Sequence, residues 1–123
     1  LGARLYLSYR EVGGMEQLNT YREDARQFVY KHTVKASGIE EKRIVRDSAS
    51  GIFYELGGNT ATAIQFFITD SNRHFLRGSL YFRTKPNRDS LEPAIQFLKQ
   101  DILNMIETLE WKSVAEPGLM NQP

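Results

Sequence analysis

The chain has 123 residues, 41% hydrophobic and 25% charged, with sixteen basic against fifteen acidic side chains, a formal charge of +1 and no cysteine. At roughly 100–200 residues per domain this is one domain, long enough to bury a core without a disulfide or metal. The balanced charge leaves no global field for nucleic acid, and the missing thiols remove disulfides, cysteine nucleophiles, iron–sulfur clusters and cysteine-ligated zinc.

The chain begins at Leu1 and a strand starts within three residues, so it reads as a processed product or a piece of a longer protein. Arg4 to Arg10 alternates, with Leu5, Leu7 and Tyr9 on one face, and is a strand. Gly13-Gly14 breaks it. From Met15 to about Lys35 the period becomes helical: Leu18, Tyr21, Ala25, Phe28 and His32 form one stripe, and Glu16, Arg22, Glu23, Arg26 and Lys31 fill the other side. Ser37-Gly38 ends that helix, with Gly38 as its left-handed terminator. Ile39 to Arg46 is a strand whose mixed charges suit a sheet edge. Ile52 to Leu56, Ala61 to Thr69 and Arg73 to Thr84 are further strands, separated by Gly57-Gly58-Asn59 and Asp70-Ser71-Asn72 turns. Lys85-Pro86-Asn87 ends the sheet.

The last helix carries the clearest signals. Asp89 caps it, Glu92 completes a capping box, and Pro93 falls in the first turn. Leu91, Ile95, Leu98, Ile102, Met105 and Leu109 form its stripe, and Trp111 docks its end. Residues 1–112 therefore make a single domain, and 113–123 a loose tail. The order β-α-β-β-β-β-α, with short turns between consecutive strands, gives an α+β fold: an antiparallel sheet of about five strands flanked by two long helices. Periodicity leaves open whether the helices share one face. Runs of large apolar residues such as Phe66-Phe67-Ile68 stop at three, so nothing here spans a bilayer.

Catalytic and metal motifs are missing. The only histidines, His32 and His74, lie 42 residues apart with no ligand spacing around either. Gly78-Ser79 lacks the second glycine of a nucleophile elbow, and Gly57-Gly58-Asn59 does not open onto a helix as a phosphate loop does. The Glu40-Glu41 and Glu23-Asp24 pairs read as solvated faces. No cofactor and no nucleic-acid partner is expected. The long strand is more informative. His74, Leu76, Gly78, Leu80 and Phe82 share one face, and Arg73, Phe75, Arg77, Ser79, Tyr81 and Arg83 share the other. Either a helix covers the Arg–aromatic face, which is favoured because the second helix needs a place to pack, or it is an exposed recognition surface.

Several stretches are more specific still: Gly58-Asn59-Thr60-Ala61-Thr62, Gln65-Phe66-Phe67-Ile68-Thr69-Asp70-Ser71, Arg73-His74-Phe75, Gly78-Ser79-Leu80-Tyr81-Phe82 and Glu107-Thr108-Leu109-Glu110-Trp111-Lys112. Together with Leu5-Tyr6-Leu7-Ser8-Tyr9 and Lys85-Pro86-Asn87, they resemble the gliding-motility-associated lipoprotein GldD family of Bacteroidetes, from about residue 4 to 112. The element order is similar to Mog1/PsbP-like domains. The resemblance implies a periplasmic-side envelope lipoprotein, held to the membrane by a lipid anchor outside this chain. It implies a non-catalytic part in gliding motility and type IX secretion, through contacts with other envelope proteins. The expected contact surface is the hairpin end around Asn59, Asp70, Arg73, Arg77 and Tyr81. The alternative is a small-ligand module with a cleft near Tyr21, His32 and Tyr54. A third reading is an enzyme using His74 with Asp70 or Ser71.

Overall fold

The computed structural model describes residues 2–31, 36–82 and 88–112. Its elements run β1 (Ala3–Glu11), α1 (Met15–Tyr30), β2 (Ala36–Val45), β3 (Ser50–Gly58), β4 (Thr62–Thr69), β5 (His74–Phe82) and α2 (Arg88–Thr108). The five strands form one antiparallel sheet in the order β1-β5-β4-β3-β2. Short turns join β2 to β5 as a meander, and α1 carries the chain from β1 on one edge to β2 on the other. This is the α+β architecture and element order read from the sequence.

β4 explains how the layers close. Its residues Thr-Ala-Ile-Gln-Phe-Phe-Ile-Thr do not alternate in polarity, and all eight are buried, as a strand covered on both sides requires. The two helices accordingly take opposite faces. On one, Leu91, Ile95, Ile102 and Ile106 of α2 pack on Phe53, Ile64, Phe66, Ile68, Leu76 and Leu80. On the other, Leu18, Ala25 and Val29 of α1 pack on Tyr54, Leu56, Phe67 and Phe75. The Phe67 and Phe75 rings stack at 5.4 Å beneath α1, a geometry worth about 0.5–1.5 kcal/mol beyond area burial.

Four expectations need correction: the end of α1, the role of Gly38, and the places of Pro93 and Asp89 in α2. The first helix stops at Tyr30, where the Lys31 N–H closes onto the Gln27 carbonyl at 3.0 Å. Gly38 therefore lies in β2, paired with Gly57, and terminates no helix. Only Gly14 (φ +144°) and Gly58 (φ +81°) among the described glycines use positive φ, at the start of α1 and the end of β3. Pro93 is the sixth residue of α2, past the first turn, so its missing N–H removes the bond that would run to the Asp89 carbonyl. Asp89 itself lies in the helix's first turn, where a carboxylate meets the positive end of the helix dipole. His32, Arg83 to Asn87 and the tail from 113 lie outside the described residues.

The end of α2 is held from below. Arg46 donates from Nη1 to the Ile106 and Leu109 carbonyls at 2.8 Å each, satisfying acceptors that a helix leaves open at its C-terminus. Trp111 donates from Nε1 to the Ser48 carbonyl at 2.9 Å and stacks on His74 at 5.1 Å, so it docks the helix end on the sheet.

Gly78 leaves no room for a side chain beneath Phe66. A Cβ there would lie 2.3 Å from Cε2 of Phe66, whose ring covers it. Gly78→Ala is expected to cost about 1–3 kcal/mol by overpacking, measured by urea denaturation. Adding Phe66→Leu should recover part of the loss, whereas strict additivity of the two changes would contradict this account.

Candidate functional site

β5 presents Phe75, Arg77, Ser79 and Tyr81 to the α1 face, and β1 sets Arg10, Ser8, Tyr6 and Arg4 directly beside them. α1 covers the inner part of this face: Phe75 is 3% exposed. It stops short of the outer corner. There an open groove of about 570 Å³ remains, lined by Tyr6, Ser8, Phe28, Arg77, Ser79 and Tyr81. The Arg77 guanidinium lies over the Phe28 ring, 4.9 Å from its centre. Tyr6 and Tyr81 meet edge to face at 5.4 Å. Burial pushes the Tyr81 phenol up, against the opposing pull of the Arg77 charge, so it is a neutral hydrogen-bonding group at physiological pH. Among the described residues no carboxylate lies within ion-pair distance of Arg77.

A buried polar row leads inward from this groove. Tyr54, Gln65, Ser79 and Tyr6 are neighbours across four strands. Tyr54 and Gln65 are each 1% exposed. The Tyr54 hydroxyl and both polar atoms of Gln65 have no hydrogen-bond partner among the described residues. Burial pushes the Tyr54 phenol up to about 12. Such a row weakens the fold locally, since each unmade hydrogen bond costs about 1–3 kcal/mol.

The five residues expected to form one surface are divided. Arg77 and Tyr81 share the groove. Asn59 is exposed in the β3–β4 turn, and Asp70 and Arg73 lie in the β4–β5 turn, at opposite ends of the eight-residue β4, a span of about 26 Å. Asp70 organises its turn: Oδ1 accepts the N–H groups of Asn72, Arg73 and His74 at 2.8–3.0 Å. Burial alone would raise this carboxyl, but those three donors outweigh it and hold it below its ordinary value of 3.8. Ser71 adopts φ +62° in the same turn and accepts a hydrogen bond from Arg22 of α1 at 3.2 Å.

His74 is packed. It is 6% exposed, Tyr9 Oη meets its Nδ1 at 2.5 Å, Trp111 covers its ring, and Asp70 Oδ2 stands 3.9 Å from Nε2. Asp70 and His74 are thus neighbours, but the Ser71 hydroxyl turns to Arg22, away from the imidazole. Tyr21 and Tyr54 do not share a cleft. Tyr21 packs beside Phe75 on one flank of α1, and Tyr54 borders a shallow depression of about 490 Å³ on the other, with Arg22, Arg26 and Arg43. Among the described residues, no three His, Asp or Glu side chains gather as metal ligands, and no helix is long and apolar enough to cross a membrane.

The groove draws on Tyr6, Ser8 and Phe28 as well as β5, and only Phe28 stands out in the sequence, as one member of a helical stripe. A family model described as gliding motility lipoprotein GldD matches residues 1–111. The chain belongs to the GldD family. It is therefore an envelope lipoprotein of gliding motility. No curated protein and no solved structure matches it. The GldD description names no reaction, and among the described residues the groove brings a guanidinium, two phenols and two serine hydroxyls together with neither a paired base nor a metal-ligand set.

Two outcomes test this geometry. Gln65→Met replaces two desolvated polar atoms with a side chain of similar shape, and is expected to raise stability by about 1–3 kcal/mol, read from chemical denaturation; a loss of that size would show Gln65 to be satisfied. Asp70→Asn should destabilise at pH 7. Because folding lowers the Asp70 value, its contribution is present above 3.8 and lost as pH falls through the lower folded value. The gap between variant and parent should therefore close in acid, and a gap constant from pH 7 to pH 2 would contradict the turn assignment.

Proposed function

We propose that this domain acts without catalysis, by protein–protein contact, on the periplasmic side of the envelope within the gliding-motility apparatus and its type IX secretion machinery. The groove of Tyr6, Arg77 and Tyr81 supports that reading. It joins a guanidinium with no acidic partner among the described residues to the exposed Tyr6 and the half-buried Tyr81, on a sheet whose central strand is fully buried. Arg and Tyr are the residue types that most often dominate binding energy at protein interfaces, and a rigid scaffold limits the entropy lost on docking. His74, the one histidine among the described residues, is enclosed by Tyr9 and Trp111 and faces away from the groove. The likeness to Mog1/PsbP domains, which also suits an accessory role, is carried by element order alone.

The open volume keeps a second reading in play, a small-ligand module of the envelope. Thermal-shift measurements separate the two, because a ligand at 100 times its dissociation constant adds about 2.7 kcal/mol of stability. The contact reading expects no such shift across a panel of envelope metabolites. Its direct test is complementation of a motility-null strain. Arg77→Ala combined with Tyr81→Ala should abolish gliding while leaving the folded domain present. Arg77 contributes packing over Phe28 of only about 0.5–1 kcal/mol. Arg73→Ala, at the distant turn, should glide normally. Loss of gliding in Arg73→Ala, with retention in the groove variant, would move the contact to the β4–β5 turn.

A further inference from the structure

The two edges of the sheet are built differently. β2 carries Glu40, Glu41, Lys42 and Arg43 in succession and breaks register between Ala36 and Gly38. A charged centre and a bulge are how a strand edge is kept from pairing with another chain. β1 has neither. It pairs with β5 over nine residues without a register break, and between Arg4 and Arg10 runs the uncharged stretch Leu5-Tyr6-Leu7-Ser8-Tyr9. Tyr6, Leu7 and Tyr9 are 54%, 51% and 44% exposed. Among the described residues, nothing pairs with the outer backbone edge of β1.

We propose that β1 takes up an extended segment of another protein as a sixth strand, and that an acidic side chain of that segment reaches Arg77 across the groove. This rests on the groove being the contact surface and states the chemistry of what it contacts. An unpaired strand edge offers alternating N–H and C=O groups, which extended backbone satisfies in full, while pockets beside the edge select alternate side chains. On the α1 face, β1 shows Arg4, Tyr6, Ser8 and Arg10, with Arg77 one strand further in. None of these arginines has a carboxylate within ion-pair distance among the described residues. On the α2 face it shows Leu5, Leu7 and Tyr9.

The occupant is therefore a strand that alternates acidic and apolar residues. Strands lie about 4.8 Å apart, so its backbone would run roughly 10 Å from β5, a distance that a glutamate and Arg77 close between them. A second copy of this chain fits less well. The one acid on β1, Glu11, sits opposite His74 and hence on the α2 face, so β1 paired with β1 would add arginines but no carboxylate to the α1 face.

The test uses the 123-residue chain and three capped nonapeptides: alternating Glu and Val, the same with Lys for Glu, and the Glu–Val peptide methylated at every backbone nitrogen. Amide chemical shifts and hydrogen exchange are followed by NMR. The Glu–Val peptide should perturb and protect residues 3–11 and leave 36–45 unchanged. The Lys peptide, the methylated peptide and the Arg77→Ala variant should each weaken binding by about tenfold or more, the loss of one good charge-assisted contact or of the backbone pairing. Equal binding of the methylated peptide, changes confined to 36–45, or a dimer in sedimentation that Leu7→Lys abolishes would each overturn the proposal. The two readings fail separately. Absence of peptide binding with gliding still lost in the groove variant removes the added strand alone, whereas peptide binding with normal gliding removes the contact function.

Discussion

Full burial of β4 is the constraint from which the rest follows. A strand with eight buried residues needs a helix on each side, and the chain supplies two of unequal length, sixteen and twenty-one residues. α2 crosses its face with a long apolar stripe and is fastened at its end by Arg46 and Trp111. α1, about 24 Å long at 1.5 Å per residue, covers Tyr54, Phe67 and Phe75 and leaves the corner of β1 and β5 open. That corner is polar where it must be: Ser8 and Arg77 could be fully buried there only with partners, or at the cost of unmade hydrogen bonds. The proposed contact surface is thus what the shorter helix cannot cover.

Much of this order is legible in the sequence, because two periods and a few turn residues carry it. The alternation of His74 to Phe82 separates Leu76 and Leu80 from Arg77 and Tyr81 correctly, and the stripe from Leu91 to Leu109 needs no tertiary context. β4 is legible as a strand but not as a central one, since an apolar run without alternation is compatible with several positions. The end of α1 is misread because neither glycine nor proline marks the stop at Tyr30 and Lys31.

The groove was only half visible for a topological reason. Arg77 and Tyr81 share a face within one strand, which period two reveals. Tyr6 and Ser8 reach them only because β1 pairs with β5 across the whole meander, and Phe28 only because α1 chooses that face; neither follows from local pattern. Grouping Asn59 with Asp70 fails for the same reason. Both sit in turns flanking β4, and consecutive hairpins place their turns at opposite ends of a strand. The family match thus identifies the envelope and motility context, while the fold leaves one polar corner uncovered.

Amide hydrogen exchange of the isolated 123-residue chain tests this layout most directly. The account predicts the slowest exchange in β4, opening only with global unfolding. It also predicts a two-residue alternation in β1, with amides turned toward β5 protected and those turned outward exchanging like loop residues. Uniform protection across residues 3–11, at the level of β5, would mean that the edge is already covered and would contradict the account.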